Sequence, residues 1–132
     1  MQNAAGMHYT FEQAQDHLRA QLFGRQTVEE TLKFVEALAA EARKSSATRF
    51  VVWVRNSRPI FKVEQARISD SFKQLAVRNV RVALLADSEE VRASHQYIEV
   101  LAAQQGAKVR AFRDEARALS WLRSAPPAQS QE

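Results

Sequence analysis

The chain has 132 residues, no cysteine, 45% hydrophobic and 26% charged side chains, and a formal net charge of +4. That is the size and make-up of one globular domain, and the missing thiols exclude a disulfide framework, a zinc–cysteine cluster and a cysteine nucleophile. No apolar run approaches the ~20 residues that cross a bilayer, the opening MQNAAGMHYTF lacks the parts of a secretory signal, and the surplus basic residues are scattered singly, so a cytoplasmic chain with no membrane span and no nucleic-acid partner is expected.

From Met7 the sequence alternates with period two: Met7, Tyr9 and Phe11 precede a polar turn at Gln13 to Asp16, and Leu18, Ala20 and Leu22 follow it. This predicts an antiparallel hairpin. Gly24 is a turn residue after it. Thr27 and Glu30 stand at the spacing of a capping box, in which hydroxyl and carboxylate each take a backbone N–H that a helix start leaves unpaired. The helix so begun buries Val28, Leu32, Val35, Leu38 and Ala42, and KSSAT, Lys44 to Thr48, ends it.

RFVVWV, residues 49–54, is a short continuous run of β-branched and aromatic side chains, expected as a central strand covered on both faces. Pro59 then takes the chain out of the sheet, and a helix carrying Ile68, Phe72 and Leu75 follows. VRVALLA, residues 80–86, is the next buried strand, with Ser88 capping a helix whose first turn holds Glu89 and Glu90. That helix buries Val91, Ile98, Leu101 and Ala102 and ends at Gly106. The closing VRAFRDEARALSWL supplies a strand around Val109 and Ala111, a cap at Asp114, and a short helix presenting Ala118, Trp121 and Leu122. Strands separated by helices lie parallel through right-handed crossovers. The expected fold is therefore α/β: a mixed, mainly parallel sheet of about five strands, an N-terminal antiparallel hairpin and about four helices. Residues 7–123 form the single domain, with flexible segments at 1–6 and 124–132.

Signatures of catalysis and cofactor binding are missing. No glycine-rich phosphate loop follows either buried strand, no GxSxG elbow occurs, and His8, His17 and His95 lack metal-ligand spacing. A triad of Ser57, Asp87 and His95 would be arbitrary, and His95, beside an apolar stripe, is expected to keep a wet polar edge. No catalytic residue, metal or cofactor is expected. What remains is RNSRPIFK, residues 55–62, at the carboxyl end of a buried strand, where open α/β sheets leave a crevice. Arg55, Asn56, Ser57, Arg58 and Lys62 form a candidate loop for a protein partner or an anion. The alternative is a pocket for a small apolar or anionic ligand between sheet and helices, lined by Trp53, Phe61 and Phe72.

The closing VRAFRDEARALSWL, the strand RVALLADS and the run LRAQLFGRQTVEETLKFVEAL resemble the SpoIIAA-like, or STAS-like, family of small α/β domains over about residues 7 to 123. The resemblance implies a sheet wrapped by successive β/α turns, and a non-enzymatic, bacterial-type regulatory domain that binds a protein partner. In the family's best-known branch, the anti-anti-sigma factors, a Ser or Thr at the start of the helix after the central strand is phosphorylated by a partner kinase. Here RNSRPIFKVEQARISDSF has no Asp-Ser-Ser-Gly motif, and Ser57 is the serine of that loop. Other members of the wider family look like binding modules for small ligands, and a homodimer through a sheet edge or a helix face is a further expectation.

Overall fold

The computed structural model describes residues 7–60, 67–76 and 80–124; the expected end segments 1–6 and 124–132 lie outside them except for Ser124, and Phe61 and Lys62 lie outside them too. Strand β1 (His8–Gln13) turns back antiparallel into β2 (Leu18–Phe23), with Gln13 opposite Leu18 and His8 opposite Phe23. Helix α1 (Val28–Ser45), strand β3 (Arg49–Arg55), a 3-10 turn (Ser69–Phe72) running into the short α2 (Lys73–Ala76), and β4 (Arg81–Ala86) follow. Helix α3 (Glu89–Gln104), β5 (Lys108–Ala111) and α4 (Glu115–Arg123) complete the described elements. The strands lie in the order β1-β2-β3-β4-β5, and every pair after the first is parallel.

Local chemistry starts the helices where the sequence places them. The Thr27 hydroxyl accepts the Glu30 N–H at 3.1 Å and the Glu30 carboxylate accepts the Thr27 N–H at 3.2 Å, closing the capping box. Ser88 and Asp114 accept the N–H groups of Val91 at 3.2 Å and Arg117 at 2.8 Å in the same way. Gly106 ends α3 at φ 82, a left-handed conformation that a side chain would strain.

A sequential strand order means that each crossover steps in one direction, so right-handed connections send α1, α2 and α3 to the same face of the sheet. There Phe50, Val52, Val54, Val82 and Val109 pack against Phe34, Val35, Leu38, Phe72, Leu75 and Ile98. The stripe of α1 is wider than the predicted one: Phe34 and Ala39 are buried, while Leu32 is only partly so.

The opposite face, Val51, Trp53, Ala83 and Leu85, is covered by α4 through Ala118 and Leu122. Glu115, in the first turn of α4, fastens it by accepting the Trp53 Nε1–H at 3.2 Å and the Arg19 Nε–H at 3.4 Å. At the far end Arg81 donates to the Trp121 carbonyl at 2.7 Å and lies 5.2 Å from the Trp121 ring. Arg123 reaches back to Asp16 in the hairpin turn at 2.7 Å; this bond, with that of His17, holds the Asp16 carboxyl well below the usual carboxylate range. Leu122 is 1% exposed whereas Trp121 is half-buried beside Phe112, so the leucine makes the deeper contact. On the free edge of β5 the Glu99 carboxylate accepts the Ala111 N–H at 2.5 Å. Among the described residues no helix is long and apolar enough to cross a membrane.

Shortening Leu122 leaves a void between α4 and the sheet. In urea unfolding, Leu122→Ala should lose about 2–5 kcal/mol, whereas Thr27→Ala, which removes only a cap, should lose about 1 kcal/mol.

Candidate functional site

Parallel strands end on one side of a sheet, and here the ends of β3 and β4 meet the starts of α1 and α3. Between them lies an open cleft of about 420 Å³ lined by Gln26, Asn56, Ser57, Arg58, Asp87 and Ser88. Asn56 sits at φ 48, a left-handed conformation that asparagine tolerates, and its N–H is taken by the Asp87 carboxylate at 3.0 Å. The Ser57 hydroxyl accepts the Arg25 N–H at 3.0 Å and donates to the Arg55 carbonyl at 2.9 Å. Arg25, only 3% exposed, donates through Nη2 to the Arg58 carbonyl, and the Arg58 N–H donates to the Arg25 carbonyl at 3.0 Å. The loops after β2 and β3 are thus tied reciprocally, and the tie holds Asn56 and Arg58 out toward solvent.

Beneath the cleft, a cavity of about 60 Å³ lies between the sheet and the helices of its larger layer. Its wall is apolar, with Phe34, Val52, Ile68 and Phe72, but includes Arg25, Thr31 and His95. His95 is 3% exposed, and among the described residues its Nδ1 has no hydrogen-bond partner. The expected wet imidazole edge is therefore corrected. Val91, His95 and Ile98 stand at i, i+4 and i+7, so His95 falls inside the buried stripe of α3 and not beside it. Burial, followed by the charges of Arg25 and Arg92, pushes its pKa down to about 3, and the ring is neutral near pH 7.

No protein-family model matches the chain, and no curated protein matches it in sequence. Among solved structures, the crystal structure of an anti-sigma factor antagonist from Mycobacterium paratuberculosis matches 94% of this chain and 100% of its own, with a TM-score of 0.58 and 11% identity. The fold is SpoIIAA-like.

Within this SpoIIAA-like scaffold the predicted residues separate. Asn56, Ser57 and Arg58 come together in the cleft, but Arg55 does not. It is still on β3, donating from Nε to the Gln21 side chain at 3.0 Å with its guanidinium 4.3 Å over the Trp53 ring. Val51, Trp53 and Arg55 share one face because strand side chains alternate. For the same reason Trp53 cannot line a pocket with Phe72: it packs on the α4 side, whereas Phe72 lines the interior cavity. Gln26, Asp87 and Ser88 join the cleft without having been predicted. Asp87 follows β4 as Asn56 follows β3, and that shared position was the available signal.

Ser57 and Asp87 share the cleft, but His95 is interior and the Ser57 hydroxyl is bonded to backbone, so no triad forms. His8 stacks on Phe23 at 4.7 Å while His17 faces Asp16 at 2.9 Å, at opposite ends of the hairpin. Among the described residues no group of three His, Asp or Glu side chains is placed to hold a metal.

Because His95 takes up a proton near pH 6.5 when unfolded but only at about 3 when folded, its contribution is complete above 6.5 and is lost as pH falls toward 3. Urea midpoints measured at stepwise lower pH should therefore decline more steeply for the wild type than for His95→Leu. Equal slopes would show that the buried imidazole does not govern acid stability in that window.

Proposed function

We propose that this SpoIIAA-like domain is a non-enzymatic regulatory module of the cytoplasm that binds a protein partner through the cleft of Gln26, Asn56, Ser57, Arg58, Asp87 and Ser88. The observation that carries the reading is the reciprocal bonding of Arg25, Ser57 and Arg58, which fixes two loops into one surface with Asn56 and Arg58 exposed. A surface ordered before binding loses less entropy on association. The anti-sigma factor antagonist with the same fold supports an anti-sigma factor as the partner class. Ser57 acts as a loop lock in this reading: a phosphate on it would remove the hydroxyl hydrogen donated to the Arg55 carbonyl and set a double negative charge beside the arginines.

Biolayer interferometry against the purified anti-sigma factors of the same genome tests this. Arg58→Glu should weaken binding by about tenfold or more, while Arg43→Glu, on the exposed side of α1, should not. Absence of binding, or equal affinities for the two variants, would count against the cleft.

A second reading, a small, mainly apolar ligand with one hydrogen-bonding group in the interior cavity, is supported by the unpartnered His95 Nδ1 in its apolar wall. Native mass spectrometry should then show a bound small molecule that denaturation releases. A mass equal to that of the bare chain would leave the cavity without this role.

A further inference from the structure

A second recess lies at the same end of the sheet, beyond the first turn of α3, where β5 runs out toward α4. It is an open groove of about 360 Å³ lined by Arg92, Arg110, Arg113 and Arg117 together with Gln96 and Phe112. The four arginines come from α3, β5, the β5–α4 loop and α4; Arg110, Arg113 and Arg117 are near in sequence, and the fold brings Arg92 of α3 to them. Among the described residues no carboxylate lines the groove. Glu89 pairs with Arg92 at 2.9 Å and Asp114 with Arg117 at 3.6 Å, both from the rim, while Glu99 is committed to the Ala111 N–H. Four guanidinium groups against the three carboxylates of Glu89, Asp114 and Glu99 leave an excess of one positive charge. The Nε of Arg92 is buried without a hydrogen-bond partner among the described residues. Arg110 lies 5.5 Å from the Phe112 ring, which sets an apolar surface beside the charges.

We propose that this groove is a binding site for a phosphate dianion, either free or as a monoester. Like charges held together repel until an anion neutralises them, and the planar guanidinium fork matches the oxygens of phosphate. A phosphate monoester, which carries roughly −1.5 to −2 near neutral pH and three acceptor oxygens, engages more of the four guanidinium forks at once than a single carboxylate with two oxygens does. Phe112 favours a monoester with a flat apolar substituent over the bare ion. The site is independent of the partner-binding cleft and stands whether or not that reading holds.

Isothermal titration calorimetry of the full chain at about 0.15 M salt, with phenyl phosphate, inorganic phosphate and benzoate as probes, tests the assignment. Phenyl phosphate should bind saturably at one site and benzoate more weakly. The inorganic phosphate arm identifies the source: equal affinity points to the free ion and weaker affinity to an ester. The double variant Arg113→Gln/Arg117→Gln, both exposed positions, should bind about tenfold or more weakly, and Arg43→Gln should bind as the wild type does. Acidification through about pH 6, where a monoester loses its second charge, should weaken binding. Unsaturable heats for both phosphates, or equal losses in the groove variant and Arg43→Gln, would overturn the site and leave only the attraction of a basic surface.

Discussion

Everything in this molecule follows from the direction in which its chain crosses the sheet. The crossovers from β2 to β3, β3 to β4 and β4 to β5 all step the same way, and a single handedness therefore stacks their helices on one face. Among the described residues the other face has only the last helix to cover Val51, Trp53, Ala83 and Leu85. That explains why nine residues carry so many specific contacts: Leu122 beneath, Glu115 bridging Trp53 and Arg19, and Arg123 reaching the hairpin turn. In a doubly wound sheet two or more helices would share this work. Here the burial of the central strand depends on the final turns of the chain.

The same constraint gathers the polar features. Parallel strands deliver their following loops to one end, so the cleft and the arginine groove both open there, separated by the first turn of α3. Their chemistry differs. The cleft sets Asp87 beside Arg58 on loops that hydrogen-bond one another, a surface of mixed charge and fixed shape. The groove concentrates charge of one sign, which favours a small anion over a broad protein face. The interior below the cleft is apolar apart from groups such as His95, whose neutrality is enforced by burial and by neighbouring arginines.

The sequence was legible where a signal is local. Capping at Thr27, Ser88 and Asp114, the hairpin before Gly24 and the run RFVVWV each depend on a few adjacent residues, and each appears in place. Arg55 was harder to place. A strand buried on both faces reads as a continuous apolar run, which hides the alternation that puts Arg55 with Trp53 and away from Arg58. His95 was legible in principle, four residues after Val91, but its polar type suggested a wet edge beside the stripe, which helix geometry overrules. The cleft and the groove were not legible at all beyond Asn56, Ser57 and Arg58. The cleft's remaining residues come from separate loops, and in the groove tertiary packing brings Arg92 and Gln96 of α3 against the stretch from Arg110 to Arg117.

The carboxylate of Glu99 on the Ala111 N–H has one more consequence. An outermost strand with free backbone groups is a template on which other chains can crystallise into fibrils. β5 is only four residues long, and at Ala111 its outward donor is already occupied from within the same molecule. Any incoming strand would have to displace a charged side chain before forming that bond. At that position the sheet is given a terminus by the helix that packs beside it.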